Sequence, residues 1–204
     1  MNHLNKKFSV IFSLMLIILL FACKQEVKII DINGKMIKDI QSNVITTIDG
    51  QQLSLEEDSI NKIYYLVRHA EKDTSIKEEP PLTAEGLKRA TRLADILRGT
   101  RVDAIYSTLT LRTMYTVDSL ADIKAMDIKP YENKDLKKLL EEVKQSTDFN
   151  RIFIVGHSNT IPSITNTLAG KDVFTRTFDE NEYDNFIIVV EKKSGAADVY
   201  TLKY

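Results

Sequence analysis

Apolar and polar positions in this chain follow two periods in turn. Ile63-Tyr64-Tyr65-Leu66-Val67 and Ile152-Phe153-Ile154-Val155 are short unbroken apolar runs rich in β-branched and aromatic residues. Runs of this length predict strands buried on both faces. Between them the period lengthens. Leu87, Ala90, Leu93, Ala94 and Leu97 share one face of a helix expected over Ala84 to Arg98, with Thr83 to cap its start and Gly99 to stop it. Val102 to Tyr106 predicts the next strand, Leu109 to Ala121 a helix, and Met126 to Tyr131 a short strand. Leu136, Leu139, Leu140 and Val143 mark a third helix, and Ile161 to Leu168 a fourth that stops near Gly170. Phe186 to Val190 and Val199 to Leu202, joined through Lys193-Ser194-Gly195, predict a closing antiparallel pair. Strands alternating with helices imply an α/β fold, a mostly parallel sheet with helices on both faces.

The N-terminal third has a different texture. Lys6-Lys7 followed by apolar Phe8 to Ala22 resembles a secretory signal, too short to span a membrane comfortably. It closes on Leu20-Phe21-Ala22-Cys23, which resembles a bacterial lipobox. That resemblance implies a signal over residues 1–22, lipidation of Cys23 as the mature N-terminus, and an extracytoplasmic, membrane-anchored lipoprotein of the periplasm or cell envelope. An ordinary signal peptide and a start-anchored single span are the alternatives, and each also sends the folded part out of the cytoplasm. Residues 23–59 read as a tether or a small β appendage. In that segment Val27 to Ile32, Asn33-Gly34 and Lys35 to Lys38 predict a hairpin on an Asn-Gly turn. Residues 60–204 carry the main domain.

Composition narrows the chemistry. Twenty-eight Lys and Arg nearly balance 29 Asp and Glu, and no long basic run occurs, so nucleic-acid binding has no electrostatic support. With a single Cys the chain cannot form an internal disulfide, and packing must stabilise the fold. Of three histidines, His3 lies in the signal, whereas His69 and His157 each follow one of the two apolar runs. Ligands of open parallel sheets bind beyond the carboxyl ends of strands. Two histidines at two such ends can therefore share a site. Arg68 adjoins His69, and a third strand end, Tyr106-Ser107-Thr108, leads to Arg112. Guanidinium forks match phosphate oxygens, helix N-termini add N–H donors, and a neutral imidazole can attack phosphorus and carry a phosphoryl group.

Arg68-His69-Ala70, Leu82-Thr83-Ala84-Glu85-Gly86, Ser107 with Arg112-Thr113 and Thr116, and Gly156-His157-Ser158-Asn159 together resemble the histidine phosphatase superfamily, of phosphoglycerate-mutase-like fold. The resemblance runs from about Ile60 to the C-terminus. It implies that His69 is the phosphorylated nucleophile and that Arg68, Arg112 and His157 complete the phosphate pocket, with Ser107 and Asn159 as further substrate-binding residues. It implies metal-independent phosphomonoester hydrolysis without a cofactor, on a phosphorylated small molecule or a phosphoprotein. The general acid is expected in Pro130-Tyr131-Glu132-Asn133-Lys134-Asp135: Glu132 first, Asp135 second, with Glu71 third. A phosphoglycerate-mutase-type transfer is the nearest alternative, and a non-catalytic phosphate- or anion-binding module the next. A zinc site built on His69, His157 and Glu71 is the rival chemistry, opposed by the two arginines.

Overall fold

The computed structural model describes residues 27–55 and 57–204. The signal, His3 and Cys23 lie outside the described residues. The elements are β1 (Val27–Gln41), β2 (Val44–Thr47), β3 (Gln52–Ser54), a 3-10 turn (Glu57–Ser59), β4 (Ile60–Arg68), α1 (Ala84–Ile96), β5 (Ala104–Ser107), α2 (Leu111–Lys124), β6 (Ile128–Pro130), α3 (Leu136–Gln145), β7 (Arg151–Gly156), α4 (Thr160–Ala169), β8 (Asn185–Lys192) and β9 (Ala197–Lys203). The strands form one sheet in the order β3-β2-β1-β9-β8-β4-β7-β5-β6. The fold is α/β, as the alternating pattern predicts. The block β4-β7-β5-β6 is parallel, and so is the β1–β9 pair, whereas β8 runs antiparallel to both β4 and β9. The sheet as a whole is mixed.

Two apolar layers cover the central strands. Tyr65, Val67, Phe153 and Val155 join Leu93, Leu97, Val117 and Leu120 of the α1–α2 side. Their neighbours Tyr64, Leu66, Ile152 and Ile154 join Leu139, Val143, Ile161 and Ile164 of the α3–α4 side. Successive side chains of one strand enter opposite layers, which is why these strands carry no polar alternation. Helix α1 is capped as its sequence predicts, the Thr83 side chain accepting from the Gly86 N–H at 3.1 Å. Its expected face is only partly right: Leu87 is 52% exposed, while Ile96 is buried.

The hairpin expected on Asn33-Gly34 does not form. Strand β1 continues through it, with Gly34 at φ +65° where the register with β9 breaks between Asp31 and Met36. The chain instead turns back at Ser42, itself at φ +54°, so that Ile40 pairs with Ile45. Ile37, Ile40 and Ile45 are fully buried in the α1–α2 layer. Pairing with β9 on one side and burial of these isoleucines outweigh the local turn preference of Asn-Gly.

Candidate active site

Strand register brings the predicted residues together. Arg68 of β4 pairs with Gly156 of β7, so His69 and His157 are the next residues on adjacent strands. The His69 N–H donates to the Gly156 carbonyl at 2.9 Å. Their rings lie edge to face with centroids 5.6 Å apart. Ser107 of β5 pairs with Val155 of β7 and Pro130 of β6, which sets Thr108 and Tyr131 on the same rim. Gly156 is needed there, because a Cβ would meet the Tyr131 hydroxyl and Thr160 Oγ1, each at 2.7 Å.

His69 is buried and its Nδ1 lies 2.8 Å from the Ala70 carbonyl. A neutral imidazole so placed donates from Nδ1 and keeps the Nε2 lone pair for chemistry. Burial pushes its pKa down to about 3; the Ala70 carbonyl opposes this, and the positive charges of Arg68 and Arg112 reinforce it, as does His157. His157 is likewise pushed down to about 4, by burial first and then by Arg112, Arg68 and Lys72. Its Nε2 is 3.0 Å from Thr108 Oγ1, which meets Thr113 Oγ1 at 3.0 Å. Both rings are therefore neutral near pH 7 in a cationic surround.

Arg68 is 1% exposed. Its Nη1 donates to the carbonyls of Asp179 (2.6 Å) and Glu182 (3.3 Å), its Nη2 faces Glu180 Oε2 at 3.4 Å, and its Cζ stands 4.3 Å over the Tyr183 ring. The Tyr183 ring also lies 5.8 Å from that of His69. Arg112 sits half-buried in the first turn of α2, and among the described residues its guanidinium has no hydrogen-bond or ion-pair partner.

The remaining predicted residues differ in their engagements. The Ser107 hydroxyl is buried and donates to the Thr108 carbonyl at 2.8 Å. Asn159 is exposed at the N-cap of α4 and makes no capping bond with its side chain. Asp135 caps α3, accepting from the Lys138 N–H at 3.2 Å. Glu71 is held by Arg89, with bonds of 2.6, 2.9 and 3.0 Å. Glu132 is exposed and, among the described residues, free of ion pairs; it lines a groove with Leu109, Pro130 and Tyr131. Among the described residues no three His, Cys, Asp or Glu gather as a metal-ligand set, and the Glu71 of the zinc alternative is engaged by Arg89.

Nothing local in the sequence marks Tyr183 or Glu180. They reach the site because β8 pairs antiparallel with β4, Phe186 opposite Val67, which carries the preceding segment past His69. Thr108 had a signal, its place beside Ser107 at a strand end.

The histidine phosphatase superfamily (branch 1) model matches residues 64–137. Over these residues the chain is similar to this superfamily. That stretch runs from the strand bearing Arg68 to the start of α3. A search of curated proteins gives no match. Solved structures share the fold. The protein histidine phosphatase SixA complexed with tungstate is 13% identical, with a TM-score of 0.56 over 69% of this chain and 96% of that one. A candidate phosphohistidine phosphatase SixA from Agrobacterium tumefaciens is 21% identical, with a TM-score of 0.52 over 64% and 92%. A phosphoserine phosphatase from Entamoeba histolytica, in complex with 3-phosphoglyceric acid, is 16% identical, with a TM-score of 0.54 over 68% and 94%. His157, Arg68's partners on 179–183 and the strands 27–54 lie outside the stretch that the family model matches.

Proposed function

We propose that this chain hydrolyses phosphomonoesters in two steps through a phosphohistidine on His69, without a metal. The observation that carries the reading is a buried His69, next to Arg68, whose Nδ1 lies 2.8 Å from the Ala70 carbonyl and whose ring is 5.6 Å from that of His157; burial and the charges of Arg68 and Arg112 favour the neutral form of both imidazoles. In the first step His69 Nε2 bonds to phosphorus as the ester P–O bond breaks, and the leaving oxygen takes a proton. In the second, water bonds to phosphorus, the N–P bond breaks and inorganic phosphate departs. Arg68 and Arg112 neutralise the charge on the transferring group. Glu132 is the proposed proton donor and later the base that activates water. It is free of ion pairs among the described residues and rises from the β6–α3 connection on the rim that carries Thr108, whereas Asp135 and Glu71 are engaged elsewhere. Only the rest of α2, then β6, α3 and β7 with their short connections, lie between Arg112 and His157, which leaves little chain to close over a phosphorylated intermediate, so hydrolysis is favoured over mutase-type transfer.

Rapid quenching with a labelled phosphomonoester should trap acid-labile, base-stable phosphate on His69, and His69→Ala should abolish turnover. Near wild-type activity in that variant would refute the mechanism; binding of phosphate without any turnover would identify an anion-binding module instead. Chelators should leave the rate unchanged.

We propose further that the enzyme works outside the cytoplasm, tethered by a lipid on Cys23. The basis is the sequence alone: Lys6-Lys7, the apolar Phe8 to Ala22 and the small residue before Cys23. The wild-type chain should partition into detergent and Cys23→Ser should release it or leave its signal uncleaved; recovery of the wild type as a wholly soluble, unlipidated species would defeat this part.

A further inference from the structure

The connection between α4 and β8 carries the run Asp179-Glu180-Asn181-Glu182-Tyr183-Asp184. Three of its four carboxylates have cationic partners away from the two histidines: Asp179 and Glu182 pair with Arg176, and Asp184 with Lys203. Glu180 does not follow them. Its Oε2 lies 3.4 Å from Arg68 Nη2 and 3.6 Å from Lys72 Nζ, while its side chain stays 77% exposed. A buried guanidinium needs anionic or carbonyl oxygens around it. The flanking carbonyls of Asp179 and Glu182 hold Arg68 Nη1 and thereby fix the position from which Glu180 reaches Nη2. Lys72 is fixed as well, by a backbone bridge to Leu82. Its side chain is 26% exposed, and its charge bears on His157.

Resting on the phosphatase reading, we propose that Glu180 is a specificity-determining carboxylate at the mouth of the phosphate pocket, set against Arg68 and Lys72. It competes with the incoming phosphoryl group for these cations. It also repels a second negative charge on the leaving group, so the enzyme takes phosphomonoesters whose leaving group is neutral or cationic. Lys72 is the matching positioning cation. Both ion pairs are solvent-exposed on the Glu180 side, so each effect is of modest size, roughly three- to tenfold.

Two readouts on the full-length chain test this. In calorimetric titration with inorganic phosphate, Glu180→Gln should bind roughly three- to tenfold more tightly than wild type and Lys72→Gln more weakly by a similar factor. In turnover, wild type should prefer O-phosphoethanolamine to 3-phosphoglycerate, and Glu180→Gln should narrow that preference by lowering KM for the carboxylate-bearing ester with kcat nearly unchanged. Unaltered phosphate affinity and selectivity in Glu180→Gln would overturn the inference. So would a fall in its kcat confined to alkyl esters, which would make Glu180 the proton donor. If wild type binds phosphate yet turns over no ester, the phosphatase reading fails and the phosphate titrations alone decide the role of Glu180.

Discussion

His157 is positioned by a hydroxyl. Thr108 Oγ1 meets its Nε2, and Thr113, which also donates to the Thr108 carbonyl at 2.8 Å, holds that hydroxyl in place. Thr108→Val keeps the shape and removes the contact. It should lower kcat roughly 10- to 100-fold, the scale of a misplaced reacting group, while Thr108→Ser keeps most of the activity. Equal loss in both variants would make the site's tolerance steric instead. The proposed proton donor, Glu132, is tested by its leaving-group dependence. Glu132→Gln should lose roughly 10²–10⁴-fold on alkyl phosphates and much less in phosphorylation by an aryl ester, whose leaving oxygen needs little help. Asp135→Asn and Glu71→Gln should lack that dependence; finding it in Asp135→Asn would move the acid there. The site was legible where a residue follows its own strand: Arg68, His69 and His157 are fixed by strand ends that apolar runs announce. It was not legible where tertiary pairing supplies the neighbour. Tyr183 and Glu180 arrive through the β4–β8 pairing, and Glu71 is captured by Arg89, eighteen residues away on α1.

At the scale of elements, the segment before β4 is part of the core. Ile40 is fully buried, paired with Ile45 and packed in the layer that holds Leu93 and Leu97. Ile40→Ala should cost about 2–5 kcal/mol in chemical denaturation, the usual range for a fully buried isoleucine. A loss below about 1 kcal/mol would show that β1 and β2 are only a tether. The first turn of α1 is tied down twice. A Cβ on Gly86 would collide with the Glu71 carbonyl, and Arg89 clasps the Glu71 carboxylate with both side chains about one-fifth exposed. Glu71→Gln should therefore lower stability by about 1–3 kcal/mol, the cost of stranding a partly buried charged partner. The helices and central strands could be read from periodicity because each buries one consistent face or both. The N-terminal strands could not. Asn33-Gly34 is a strong local turn signal, yet its backbone serves as a register break inside a strand whose two halves pair with different partners. Long-range pairing of that kind leaves no local pattern.

For the molecule as a whole, the two neutral histidines link folding to pH. Their folded pKa values, about 3 for His69 and about 4 for His157, lie below the value near 6.5 expected in the unfolded chain. As pH falls through 6.5 the unfolded chain takes up protons that the folded chain refuses. The stability these residues contribute is complete above about pH 6.5 and is lost progressively down to about pH 4 and then 3, by up to roughly 1.4 kcal/mol per pH unit for each histidine. The carboxylates held below their ordinary range, such as Glu182 beside Arg176, titrate lower, so the interval from pH 6.5 to 5 belongs to the histidines. The melting temperature of the wild type should therefore fall across that interval, and the His69→Gln/His157→Gln double variant should be nearly flat there. The proposed nucleophile departs from the expectation for a solvated imidazole: His69 stays unprotonated well below pH 6, so single-turnover phosphorylation should show no loss centred near 6.5. A melting curve equally steep in both proteins, or a phosphorylation limb at pH 6.5, would mean that His69 and His157 are not held neutral by burial between Arg68 and Arg112.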